Sequence, residues 1–63
     1  MNRDLLESKI MERYSSNASF IKDLEMSQAT FYRRLDKWDW TFNEVRRMKI
    51  MLGLSEQDMH DIF

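Results

Sequence analysis

Apolar residues in this chain recur at intervals of three and four, the spacing of helices that bury one face. Leu6, Ile10 and Tyr14 make the first stripe, with Leu5 beside it and Glu7, Lys9, Glu12 and Arg13 around the rest. This spacing predicts a helix over residues 4–14. Ser15-Ser16-Asn17 breaks it, because these side chains compete for backbone hydrogen bonds. Ser16 is the expected cap of a second helix over residues 17–24, with Phe20, Ile21 and Leu24 inward. Glu25-Met26-Ser27 then turns the chain into a third helix over residues 28–35. Ser27 stands where an N-cap belongs, and Met26 and Phe31 have the spacing of a hydrophobic staple. Phe31 and Leu35, four apart, share its inner side. Residues 36–40 read as a loop in which at least one of Trp38 and Trp40 must pack back, since exposing both leaves a costly apolar patch.

The fourth helix has the clearest start. Thr41 and Glu44 are spaced as a capping box, and Trp40 and Val45 as a second staple. Val45, Met48 and Leu52 form its inner stripe with Met51 at the edge, and Gly53 ends it where a left-handed residue is needed. A fifth helix repeats the scheme: Ser55 caps, Glu56 and Asp58 suit the positive helix start, and Leu54 pairs with Met59. With no proline and a single glycine, strand and hairpin signals are scarce. The expected fold is all-α, a compact bundle of five short helices in one domain, residues 1–63.

A chain of 63 residues buries only about 60% of its unfolded surface, so its core is marginal and a partner can add to it. Cysteine is absent, which removes disulfides and thiolate metal sites. The one histidine, His60, cannot hold a metal without several carboxylates. No signal peptide or membrane span is present, and a soluble protein of the cytoplasm is expected. Neither a Ser–His–Asp set nor a glycine-rich phosphate loop can be assembled. The expectation is therefore no enzyme, no cofactor and no metal. Six methionines can serve either a core or an adaptable surface; spacing assigns Met26 and Met48 to the core and leaves Met11, Met51 and Met59 open.

Net charge is −1, yet its distribution is uneven. Residues 27–37 hold Arg33, Arg34 and Lys37 against Asp36, while residues 55–63 hold Glu56, Asp58 and Asp61 with no lysine or arginine. A basic middle and an acidic tail describe an electrically polarised domain. Two short helices joined by a tight turn, residues 17–24 and 28–35, match an arrangement in which one helix braces on the DNA backbone and the next lies in the major groove. The outer side of the third helix has suitable chemistry. Gln28 can pair bidentately with adenine and Arg33 with guanine, Ala29 can pack on a thymine methyl, and Tyr32 can meet a sugar or phosphate. Ser27, Lys37 and the Ser16-Asn17 corner suit phosphates. Taken alone, the two adjacent arginines favour an ordinary solvated helix face.

Phe20-Ile21-x-x-Leu24-x-Met26-Ser27-Gln28-Ala29-Thr30-Phe31-Tyr32-Arg33-Arg34-Leu35, then Trp40-Thr41-x-x-Glu44-Val45 and Leu52-Gly53-Leu54-Ser55, resemble the Cro/repressor-type (XRE-family) helix-turn-helix domains, compact phage regulators in particular. The similarity spans residues 6–63. It implies a lambda-repressor-like five-helix fold, a bacterial and phage-encoded setting, and transcription regulation by sequence-specific binding to double-stranded operator DNA. It places Gln28, Ala29, Tyr32 and Arg33 at base-reading positions, and Ser27 and Asn17 at phosphate contacts. The chain departs from the pattern at Ile21, where the family favours alanine, and at Glu25, where it favours glycine. Those departures imply an altered angle between the two helices or a turn that avoids the left-handed region.

The alternative function is a protein-binding modulator, an anti-repressor or co-repressor that uses the same scaffold to dock on a repressor. Low net charge, the acidic last helix and the tryptophans support it. A weak homodimer is also expected, formed by Met59, Ile62 and Phe63 with Trp38, since a single such domain reads only one half-site.

Overall fold

Short polar side chains set where each helix starts. In the computed structural model, which describes all of residues 1–63, five helices follow one another with no strand: α1 (Arg3–Arg13), α2 (Asn17–Asp23), α3 (Gln28–Lys37), α4 (Phe42–Leu52) and α5 (Glu56–Ile62). Asn2, Ser16, Ser27, Thr41 and Ser55 cap them in turn, each accepting a first-turn backbone N–H. In α4 and α5 the capping box is complete, with the Glu44 and Asp58 carboxylates accepting the N–H of Thr41 and Ser55 at 2.8 and 3.0 Å. Thr41→Ala should therefore lower the free energy of unfolding by about 1 kcal/mol, measured by urea denaturation.

Every helix contributes to one core. Leu6, Ile10, Phe20, Ile21, Leu24, Phe31, Leu35, Met48, Leu52, Leu54 and Ile62 are all buried, and no polar residue is buried with them. Helix α1 packs on α2, α4 and α5, and α2 packs on α3. An aromatic chain crosses the domain: Tyr14–Phe20 at 5.2 Å, Phe20–Phe31 at 6.1 Å, Phe31–Trp40 at 5.3 Å, Trp40–Trp38 at 6.1 Å and Trp38–Phe63 at 5.8 Å between ring centres. Both tryptophans are thus packed against the core. The N–H of Asn2 donates to the Ile62 carbonyl at 2.7 Å, joining the start of α1 to the end of α5.

Three expectations change. Helix α3 continues to Lys37, so Asp36 and Lys37 are helical and the loop is shorter than residues 36–40. It ends because Trp38 turns left-handed (φ 56°), its N–H donating to the Arg34 carbonyl at 2.6 Å. Helix α1 starts at Arg3, since Asn2 caps it, and Tyr14 is already extended. The stripe of α5 assigned to self-association is largely consumed inside the chain: Ile62 is fully buried, and Met59 and Phe63 pack on the core.

The turn between α2 and α3 does enter the left-handed region. Glu25 has φ 63°, which costs a residue with a Cβ roughly 1–2 kcal/mol. Its carboxylate meets Arg47 at 3.3 Å, but both groups are exposed and the pair recovers little. Glu25→Gly should raise stability by about 0.5–1 kcal/mol after the larger entropy loss of glycine, seen as a higher urea midpoint. A lower midpoint would show that the Arg47 pair outweighs the backbone strain.

Candidate functional site

Phe31 and Leu35 point inward from α3, which fixes what the helix shows to solvent. Gln28, Ala29, Tyr32, Arg33, Asp36 and Lys37 are exposed, with Ser27 at the cap. Ala29, Arg33 and Lys37 are four apart and make one stripe, each step rising about 6 Å. Alanine at the head of that stripe leaves low relief between the longer side chains. Tyr32 lies beside it, its ring edge-on to Phe31 at 5.4 Å. The aromatic contact restrains the ring and leaves the residue 38% exposed.

The charges of α3 divide cleanly. Arg34 turns from the stripe toward α4, where its Nε donates to the Glu44 carboxylate at 3.0 Å. Asp36 is the only carboxylate on α3, and it accepts from Arg3 of α1 at 2.9 Å. Arg33 and Lys37 enter no ion pair and no side-chain hydrogen bond. The two charged residues of α3 left without a partner are both cations on its outer stripe. Two adjacent arginines in the sequence thus separate into a structural one and a free one.

The remaining sequence-assigned residues stand differently. Ser27 is occupied by its own helix: its Oγ accepts the Thr30 N–H at 3.1 Å and donates to the Thr30 hydroxyl at 2.8 Å. A contact from Ser27 to a ligand therefore competes with the cap. Asn17 opens α2, half-buried, and its Oδ1 is enclosed without a donor. Its amide nitrogen is left as the end with solvent access. Asn17 belongs to a different helix from the other six and is not hydrogen-bonded to any of them.

A second surface escaped the sequence reading. Phe42 and Ile50 of α4 are 78% and 71% exposed, with Arg46 between them one turn from each and free of any ion pair. The 42, 46, 50 spacing is visible in the sequence as the counterpart of the inner side, where Met48 and Leu52 are buried and Val45, expected with them, is only half-buried. Beside Ile50 opens a cleft of about 470 Å³ lined by Tyr14, Asp23, Arg47, Ile50 and Met51. Partial burial pushes the Tyr14 hydroxyl above its usual range, and the negative charge of the nearby Asp23 carboxylate adds to the shift. Away from both surfaces, the Ser55 backbone N–H holds the Asp58 carboxyl below the usual carboxylate range, with Lys9 adding to the effect.

No cluster of His, Cys, Asp and Glu is arranged to hold a metal ion, and no helix is long and apolar enough to cross a membrane. No family model matches the chain, and no curated protein or solved structure matches it either.

Proposed function

We propose that the chain is a sequence-specific DNA-binding transcriptional regulator of the Cro/phage-repressor type, with α2 and α3 as a helix-turn-helix and α3 in the major groove. The observation that carries this reading is the pair of unpartnered cations, Arg33 and Lys37, on a stripe whose only carboxylate is neutralised by Arg3. A net charge of −1 for the chain does not oppose it, because the phosphates meet the local face rather than the total.

The roles follow from side-chain chemistry. The Arg33 guanidinium presents a planar fork that fits the O6 and N7 acceptors of guanine, and the Gln28 amide fits adenine N6 and N7. Ala29 offers a methyl-sized surface for thymine. Tyr32, held against Phe31, reaches a sugar or phosphate through its hydroxyl. Lys37 neutralises a phosphate and supplies affinity without reading sequence. The Asn17 side chain adds a polar contact to the DNA backbone, and Ser27 adds one where its hydroxyl proton turns from the Thr30 hydroxyl to a phosphate. One domain of this size spans one half-site, and two copies on a two-fold operator multiply their affinities. The rival role, docking on a repressor through this same face, lacks support here, since α3 shows no continuous apolar stripe: its inner apolar residues, Phe31 and Leu35, are buried.

Selection from a random duplex library tests this reading. The purified protein should enrich a short motif containing guanine and adenine. Its affinity should fall as salt rises, by a slope of about 0.9 per phosphate neutralised, because counterions are released on binding. Recovery of unenriched sequence at low salt would mean a non-specific polyelectrolyte contact, and no retained DNA would remove the reading altogether.

A further inference from the structure

The outer side of α4 is an unpartnered surface with the chemistry of a protein-docking site. Phe42 and Ile50 are eight residues apart and stand about 12 Å apart along the helix axis, with Arg46 midway. Scattered single hydrophobics need no explanation, but two large ones on one helical stripe, flanking a free cation, make a pattern. The cleft beside Ile50 extends the apolar surface onto Met51 and Tyr14, with Arg47 and Asp23 completing its lining. The unpaired charge on this stripe is Arg46; Arg47 and Lys49 lie near it, each meeting a carboxylate from another element. The single carboxylate of α4, Glu44, is turned away to Arg34 and the Thr41 N–H.

We propose that this face binds an acidic amphipathic helix of a different protein, which presents two apolar side chains seven or eight residues apart and a carboxylate between them. Charge complementarity selects that occupant. The partner's carboxylate answers Arg46, and its apolar pair covers Phe42 and Ile50 in the manner of a helix laid along a helix. A second copy of this chain does not fit. A two-fold contact between α4 faces sets Arg46 against Arg46 of the other copy. The acidic helix of the chain, α5, has already committed Met59, Ile62 and Phe63 to its own core, so it has no apolar stripe to offer. The surface is distinct from α3, so a DNA-bound molecule can hold the partner at the same time. Two anchors make a small interface, which suits a transient complex at the low end of interface sizes.

Fluorescence polarisation with two synthetic helical peptides tests the proposal. Both carry leucines at the first and eighth positions; one has glutamates between them and the other lysines. The glutamate peptide should bind at least about tenfold more tightly than the lysine peptide. The double variant Phe42→Ala/Ile50→Ala should lose at least about tenfold in affinity for it, and Arg46→Glu should reverse the preference toward the lysine peptide. All three positions are exposed, so native circular dichroism is expected of each variant, and enrichment of DNA by the alanine double variant should be unchanged. Equal binding of the two peptides would overturn the proposal, as would acidic-peptide binding that the double variant retains. Sedimentation showing a dimer that Ile50→Asp disperses would also overturn it, since a second copy would then be the occupant.

Discussion

Phe31→Ala should leave the chain unfolded at ambient temperature, with neither the helical circular dichroism signal nor a cooperative melt. Phe31 is fully buried and is the centre of the aromatic chain, meeting Phe20, Tyr32 and Trp40 at 6.1, 5.4 and 5.3 Å. Truncation removes its transfer free energy and leaves a cavity that the three rigid rings around it cannot close, at a cost of about 3–5 kcal/mol. A domain of this length has roughly 3–9 kcal/mol in total. The loss therefore takes between about a third and all of the margin. Phe31→Leu keeps much of the volume and should remain folded with a lower midpoint. A native melt for Phe31→Ala would mean that the aromatic chain is an accessory and that the aliphatic residues of α1, α2 and α4 hold the fold alone.

Arg33→Ala should reduce affinity for the selected operator by about 1–3 kcal/mol while relaxing the preference at one base pair. The same change should weaken random duplex far less. Lys37→Ala, on the same stripe, should weaken every duplex alike and lower the salt slope by about 1. The contrast follows from what the two groups can do: a guanidinium fork distinguishes base edges, whereas an ammonium meets a phosphate as a point charge. Arg34→Ala supplies the internal control. Its guanidinium holds Glu44 at 3.0 Å, so its removal should act on stability rather than on base preference. Competition binding against specific and random duplex, with urea melts of each variant, separates these outcomes. Equal losses on both duplexes for Arg33→Ala would reduce that residue to a phosphate contact.

The helices were legible in the sequence because capping is local chemistry. Ser16, Ser27, Thr41 and Ser55 each stand at an element start and each caps in the structure. The inner stripes were legible for the same reason, since helical spacing alone sorts Phe31 and Leu35 from Gln28 and Arg33. What resisted was settled by contacts distant in sequence. Asp36 and Lys37 continue α3 up to Trp38, which ends it left-handed, and Asp36 pairs there with Arg3, thirty-three residues away. The separation of Arg33 from Arg34 in charge depends on Glu44, ten residues away. The C-terminal stripe looked available because nothing local shows that Phe63 stacks near Trp38 at 5.8 Å. Phe42 passed unnoticed for the opposite reason: at the first helical position after Thr41 it reads as part of the cap, and only folding shows it uncovered. Glu25 demonstrates that a polar residue in a turn can tolerate a positive φ that glycine would adopt freely.

Contact of the outer stripe of α3 with DNA is to be read by amide chemical-shift mapping of the isotopically labelled protein against a short duplex. The duplex should be the one enriched from the random library, titrated at low and at moderate salt. The largest shifts are expected at Ser27, Gln28, Ala29, Tyr32, Arg33 and Lys37, with a smaller response at Asn17 and little change at Phe42, Arg46 and Ile50. Shifts that centre on α4 or α5 and leave α3 still, or no shifts at duplex excess, would contradict that contact.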